Sequence, residues 1–425
     1  MKRRAFEFIK KNWAPICLLI IVLLTFYVRV EEYRWQYLRN IDSYTFARFM
    51  DDIVENGALP ERDELVRSPV GTTRNFELHP YEYLGAYSFM LLRMFIPGIQ
   101  MWQYLIYFPA FIAALIAIPM YFIGKALYDK KAGLLAAFFT VFDLSLVART
   151  LAGDPDNDGF VLLIPMIVMA VFIYSYKYIE RTRKFDKKFL SYSITLGILL
   201  GIWANTWIGY WYIIWIIFGL IILKVSYEMS KNLHPLLAFI SALIFPISII
   251  IGYKNKNLRN TFSGVKYILA SFIIYILIMS FILTMIYGAD KNLYVLRGPF
   301  EFQSIKGEEK IVFPNVYVSV AELQQSGGAR EIISRTSAVQ GIGILISPFF
   351  LMLYCLMYLF YSFIRKRQHI DTLFLLFIWF VGPFAATLVA VRFSILFTAP
   401  MAIGSGIILS KLIRMATGED AKIED

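Results

Sequence analysis

Uninterrupted apolar runs, each about as long as a helix that crosses a bilayer, recur along almost the whole sequence. A hydrocarbon core of roughly 30 Å takes about 20 helical residues. Runs of that kind can be drawn at about 13–30, 102–123, 132–148, 160–177, 190–206, 209–224, 235–252, 267–287, 338–361, 372–391 and 393–413. No water-soluble fold hides so much apolar surface: 58% of the 425 residues are hydrophobic, 17% are charged, and the mean hydropathy is +0.60. A backbone in lipid must satisfy its own hydrogen bonds, so the crossings are expected to be helices. The expected architecture is an all-α polytopic membrane protein of about 11–13 transmembrane helices, with residues 1–425 forming one membrane domain.

The net charge of +11 does not point to nucleic acid, because the cations form short clusters between apolar runs and no single basic patch. That is the distribution produced by the positive-inside rule. Cytoplasmic connectors are read at Lys125, Lys130 and Lys131; at Arg181, Arg183, Lys184, Lys187 and Lys188; at Lys254, Lys256 and Arg259; at Arg365, Lys366 and Arg367; and at Lys411 and Arg414. The N-terminal MKRRAFEFIKK precedes an apolar run with no A-x-A-like cleavage site, which predicts a retained first helix with a cytoplasmic start. Cys17 and Cys355 both fall inside apolar runs, so neither a disulfide framework nor a cysteine metal site is expected.

Three segments remain for the opposite, extracytoplasmic side: 31–101, 149–159 and 288–337. The apolar stretch 83–95 in the first would rise only about 20 Å as a helix and is read as interfacial or re-entrant. Parity leaves a conflict downstream: the basic stretch 254–266 should be cytoplasmic, yet the proposed crossings deliver it outside. Pro246, which could split 235–252 into a tight helical pair, offers one resolution.

Loop two reads Arg149-Thr-Leu-Ala-Gly-Asp154-Pro-Asp156-Asn-Asp158-Gly159. Three carboxylates within five residues repel one another, and a hard divalent cation such as Mg²⁺ or Mn²⁺ is their natural partner. The string imitates an EF-hand start, but Pro165 stands where the bidentate glutamate should be. A solvated acidic loop is the plain alternative. Asp42, about a dozen residues past the first helix, has a cap or solvated residue as its plain reading. His79 precedes Pro80, where a structural role competes with phosphate binding. Glu322 lies in Val318-Ser319-Val320-Ala321-Glu322, followed by Gly327 and Gly328, which suit a loop able to close over a substrate. Arg392, between the last two apolar runs, is either a snorkelling anchor or an anion-binding group.

In combination these pieces resemble the catalytic subunit of oligosaccharyltransferase, a C-type glycosyltransferase family. The resemblance covers most of the chain. It rests on the early aspartate Asp42, the D-x-D of Asp156 and Asp158, the S-V-x-E of Ser319 to Glu322, the R-F of Arg392 and Phe393, and Arg149 seven residues before Asp156. It implies a C-type glycosyltransferase fold and a divalent cation, Mn²⁺ or Mg²⁺, held by Asp42, Asp156, Asp158 and Glu322. Asp42 and Glu322 would also engage an acceptor asparagine amide. Arg392 and His79 would neutralise a lipid pyrophosphate, Arg149 would support the donor site, and Trp207 and Tyr210 would stand beside the lipid-linked sugar. Asp154 has no counterpart in the family pattern.

The implied reaction is transfer of a glycan, with inversion, from a polyprenyl (dolichyl or undecaprenyl) phosphate or pyrophosphate to an asparagine side chain of an acceptor polypeptide. It would run on the extracytoplasmic side of a prokaryotic cell membrane. The family continues into a soluble domain carrying W-W-D-Y-G, a motif that does not occur before Asp425. The expectation is therefore a fragment, the membrane half of a split system whose soluble domain or subunit is separate, or a relative with another acceptor. Another C-type glycosyltransferase is a second reading. A transporter or flippase is a third, which would place charged residues at mid-membrane.

Overall fold

The computed structural model describes residues 2–31, 33–65, 68–73, 79–254, 258–289, 291–298, 327–335, 345–390 and 393–419. Glu322, the Ser319–Ala321 stretch before it, and Arg392 lie outside the described residues.

The first run is helix α1 (Lys2–Val30), and the segment after it carries α2 (Ile41–Asn56) and α3 (Pro80–Phe95). Then come α4 (Met101–Leu127), α5 (Lys130–Val141), α6 (Leu144–Ala148), α7 (Asp158–Thr182), α8 (Lys187–Ala204) and α9 (Trp211–Ser230). The second half has α10 (Pro235–Leu243), α11 (Phe245–Lys254), α12 (Leu258–Tyr287), α13 (Ala329–Arg335), α14 (Pro348–Lys366), α15 (Ile370–Val389) and α16 (Ser394–Ala416). A two-residue antiparallel pair, Arg62–Asp63 with Thr72–Thr73, is the strand content of the described residues.

Local chemistry sets many of the ends. Asp129, Asp143 and Asp186 cap α5, α6 and α8 by accepting from Ala132 N at 2.8 Å, Ser145 N at 2.9 Å and Phe189 N at 2.8 Å. Among the described residues, eight helices are long and apolar enough to cross a membrane: Lys10–Val30, Met101–Leu127, Asp158–Thr182, Ile208–Ser230, Thr261–Tyr287, Pro348–Lys366, Ile370–Leu388 and Ser394–Ala416. On α12 the exposed Ile273, Leu277, Phe281 and Met285 recur every fourth residue, a lipid-facing stripe on a helix whose other side packs. The chain is a multi-pass integral membrane protein.

Side-chain contacts fix the relative direction of several neighbouring helices. The α5–α6 pair runs antiparallel to α16, through Asp129 at the α5 start and Ser410 at 2.8 Å, and through Ser145 of α6 and Thr398 at 3.3 Å. Antiparallel α9 and α15 meet through Lys224 and Asp371 at 3.0 Å, while a Cβ on Gly219 would stand 3.0 Å from Ile378. Helices α8 and α12 run parallel: Ser193 and Ser271 hydroxyls are 2.8 Å apart, and a Cβ on Gly201 would lie 2.6 Å from Ile282.

That parallel pair resolves the parity conflict. Since α8 and α12 start at the same end, the chain after α9 leaves that end and is back at it where α12 begins. Run 235–252 is the broken pair α10–α11, interrupted at Ile244 (φ −115°, ψ 83°). Among the described residues, the eight long helices together with α8 and the α5–α6 pair run from end to end. The described basic connectors then fall at one end, and the described residues of 31–100, 149–157, 205–210 and 288–298, with 390, fall at the other. Helix α3 packs on α2 and α4 at that second end and does not cross.

Candidate active site

At the end opposite the basic connectors, the acidic loop between α6 and α7 is held from three directions. From α1 comes Arg29, 2% exposed. Its Nε donates to Thr150 Oγ1 at 2.7 Å, Nη2 to the Val141 carbonyl at 2.7 Å and Nη1 to the Thr25 carbonyl at 3.3 Å. The Ala152 amide donates back to the Arg29 carbonyl at 3.1 Å. From the α1–α2 segment, the Arg39 amide donates to the Gly153 carbonyl at 2.7 Å. Position 153 requires glycine twice over: φ is +81°, and a Cβ would stand 2.4 Å from the Tyr33 ring.

From α3 comes Tyr81, fully packed among Phe46, Phe108 and Phe160 at centroid distances of 5.6, 5.4 and 5.5 Å. Its hydroxyl donates to the Pro155 carbonyl at 3.1 Å, between Asp154 and Asp156. Burial, and after it the charge of Asp156, holds this phenol well above its usual pKa. Pro80 at the first helical position suits the α3 start, and His79 caps it in the left-handed region at φ 38°. His79 Nδ1 lies 3.3 Å from Glu82 Oε1, and its ring meets Phe49 edge-on at 6.0 Å. In the structure His79 is thus a helix-start residue at the same corner as Tyr81.

Asp42 is exposed in the first turn of α2, where the helix dipole favours a carboxylate. Its neighbour Ser43 is buried and donates to Asp154 Oδ1 at 3.0 Å, so the Asp42 turn is bound to the acidic loop. Asp154 feels its surroundings: burial raises its pKa, the Ser43 bond and Arg39 pull it down, and the charges of Asp158 and Asp42 push it up again. Asp156 accepts from the Asn157 amide at 2.6 Å. Asp158 opens α7, and its Oδ2 meets Arg149 Nη1 at 2.6 Å with both side chains largely buried. Arg149 therefore faces a carboxylate of its own loop.

Trp207 and Tyr210 lie in the α8–α9 connection at the same end of the bundle. Tyr210 is fully buried, donates to the Lys291 carbonyl at 3.0 Å and accepts Trp203 Nε1 at its own carbonyl at 3.1 Å, which is a packing role. Trp207 is half-buried, with its ring 6.5 Å from Phe393, the residue after Arg392.

The carboxylates offer only oxygen donors, the kind Mg²⁺ and Mn²⁺ prefer. No group of three or more His, Cys, Asp or Glu among the described residues stands close enough to hold an ion. The donor set fits such a cation in kind, and the described residues supply a part of it. Ser43, Tyr81 and Arg29 escape sequence reading because each acts through a residue distant in sequence; the arginine inside an apolar run was the one available signal.

A family profile, "Oligosaccharyl transferase STT3, N-terminal", matches residues 15–418. No curated protein sequence matches significantly. Among solved structures, the archaeal oligosaccharyltransferase AglB from Archaeoglobus fulgidus, in complex with an inhibitory peptide and a dolichol-phosphate, superposes with a TM-score of 0.61 at 18% identity, covering 97% of this chain and 52% of that one. The Archaeoglobus fulgidus oligosaccharyltransferase tethered with an acceptor peptide containing the NVT sequon gives 0.61 at 18% identity, covering 96% and 50%. Its complex with Zn and sulfate gives 0.60 at 16% identity, covering 94% and 49%. The chain spans about half the length of these structures, and the likeness shows the fold of their membrane part. With nearly its whole length inside the family profile and that fold beneath it, the chain belongs to the STT3 oligosaccharyl transferase family.

Proposed function

We propose that this chain is the membrane catalytic part of an oligosaccharyltransferase, moving a glycan from a polyprenyl phosphate or pyrophosphate to the side-chain amide of an acceptor asparagine with inversion at the anomeric carbon. The observation that carries the reading is the joining of the Asp42 turn to the Asp154–Asp158 loop through Ser43–Asp154, beside Tyr81 of α3 on Pro155, at one end of a bundle of this family. The dolichol-phosphate and acceptor peptide of the archaeal relatives support the same donor and acceptor classes. The clustering of basic connectors at the other end supports an extracytoplasmic site in a prokaryotic cell membrane.

An amide nitrogen is a poor nucleophile, and the departing phosphate gathers negative charge, so the site must act at both ends of the reaction. Asp42 and Glu322 accept hydrogen bonds from the acceptor amide and turn its nitrogen toward the anomeric carbon. Arg392, helped by His79, neutralises the departing phosphate oxygens. Arg149 holds Asp158 against rotation through their ion pair. Trp207, beside Phe393, offers a flat face to the sugar. Asp42, Asp156, Asp158 and Glu322 would hold Mn²⁺ or Mg²⁺, which when bound supplies Lewis acidity toward the leaving phosphate. The Zn complex of the archaeal relative supports a divalent ion in this family.

The test uses membranes from cells expressing the chain from its own locus, supplied with Mn²⁺, lipid-linked donor and an asparagine-containing peptide. Asp156→Ala and Glu322→Ala are each expected to reduce transfer about 100-fold or more. Unchanged transfer by both would remove the metal-site reading.

A further inference from the structure

At the basic end, helices α9, α11 and α12 leave an open groove of about 860 Å³ between them. Its walls are apolar, with Phe218 and Val225 on α9, Phe245 on α11 and Leu269 on α12. Its polar groups are Thr261, Ser263 and Lys266, all in the first turns of α12. Along α9 the groove runs from Phe218 to Met229, roughly 16 Å of helix and about half the hydrocarbon thickness. It thus occupies one leaflet, the one at the basic connectors, and lies away from the acidic loops at the other end.

Thr261 is 4% exposed, and its hydroxyl has no hydrogen-bond partner among the described residues, although it borders the groove. A buried hydroxyl without a partner is costly in an apolar setting, and an ester or phosphate oxygen in the groove would satisfy it. Lys266 is exposed at the same mouth, with the Tyr267 ring 5.0 Å from its ammonium. The exposed Lys254 ends α11 at the same side of the bundle. Neither lysine forms an ion pair among the described residues.

We infer that this groove is a binding site for one anionic phospholipid of the leaflet at the basic end, its acyl chain along α9 and α12 and its phosphate at Thr261, Ser263 and Lys266. Charge complementarity selects the headgroup, and the single-leaflet length selects a phospholipid over a polyprenyl tail whose phosphate belongs at the opposite end. Phe245, at the start of α11 in the broken pair α10–α11, forms one wall of the site. The inference rests on the transfer reading only in setting aside a donor tail.

The test is native mass spectrometry of the intact membrane protein released from nanodiscs holding equal amounts of phosphatidylglycerol and phosphatidylcholine with identical acyl chains. One saturable phosphatidylglycerol is expected, retained at least ten-fold over phosphatidylcholine. Lys266→Glu should bring the preference below two-fold, and Val225→Trp should remove the bound lipid of either charge. Equal retention of the two lipids by the unaltered protein overturns the site without recourse to any variant. Displacement of phosphatidylglycerol by an equimolar polyprenyl phosphate assigns the groove to a donor tail and overturns it equally.

Discussion

The residues that decide how the acidic loop stands are mostly uncharged or far away in sequence. Arg29 places a guanidinium against neutral oxygens of Thr150, Val141 and Thr25. Removing it strands buried acceptors, at about 1–3 kcal/mol. Arg29→Met is therefore expected to lower the thermal midpoint and to raise the divalent-ion concentration needed for half-maximal transfer; Arg29→Lys should recover only part, because an ammonium lacks the guanidinium fork. If neither quantity moves, Arg29 does not anchor the loop. Tyr81→Phe keeps the aromatic packing and deletes one hydrogen bond to Pro155, worth about 1 kcal/mol, so a larger loss of transfer than of stability would show that loop position is what the hydroxyl controls. Asp154 supplies a pH dependence with a defined sign. Its folded-state pKa is raised by burial, so from about pH 4 upward the folded chain holds the proton more tightly than the unfolded one, and its contribution to stability declines as pH rises through that window. Asp154→Asn should flatten this part of a melting-temperature profile; an unaltered slope would assign the dependence to other groups. Asp156 and Asp158 could be singled out in the sequence because three acids in five residues are conspicuous. Ser43 and Tyr81 could not, since a buried serine or tyrosine looks like any other until its distant partner is known.

At the scale of single elements, run length located the crossings well, because a hydrophobic stretch of the right length leaves a helix few other places to go. It failed to distinguish 235–252 from a crossing, as a broken pair and a spanning helix of the same residues have the same apolar content. The deciding information was tertiary: α8 and α12 lie parallel, through Ser193–Ser271 and Gly201–Ile282. The basic stretch beginning at Lys254 had already argued for that outcome through charge. Cysteines introduced at His234 and Lys254 are accordingly expected to react with an impermeant thiol reagent from the same side as one at Arg183. Labelling of positions 234 and 254 from opposite sides would mean that α10–α11 crosses and that the α8–α12 pairing is wrong. The turn between α5 and α6 is a milder case of the same ambiguity: Asp143 caps a new short helix inside what the sequence presents as one run.

The whole molecule is a bundle with two chemically different ends, acidic loops at one and basic connectors at the other, and that polarity was legible because lipid forbids most alternatives. What the sequence did not reveal is how the basic end is tied together. Lys224 on α9 is 8% exposed and meets Glu180 of α7 at 2.5 Å, Asp371 of α15 at 3.0 Å and Glu228 at 3.7 Å. A transporter would be expected to carry such charges at mid-membrane, whereas Glu180 lies two residues from the end of α7 and Asp371 is the second residue of α15, in its first turn. Their placement favours a clamp on three helices. Lys224→Met takes the nearest cation from Glu180 and Asp371 and leaves them Lys177 at longer range; with both carboxylates a quarter to a third exposed, the loss should stay below the about 3–5 kcal/mol of a fully buried pair. Replacing Lys224, Glu180 and Asp371 together by Met, Met and Leu removes the excess negative charge as well, and is expected to recover most of that loss. The clamp stands 22 residues along α7 from Asp158, roughly 33 Å away, so sugar transfer per folded molecule should stay within two-fold in the triple variant. A fall of ten-fold or more, with the thermal midpoint restored, would show instead that the charges themselves couple the basic end to the site across the membrane.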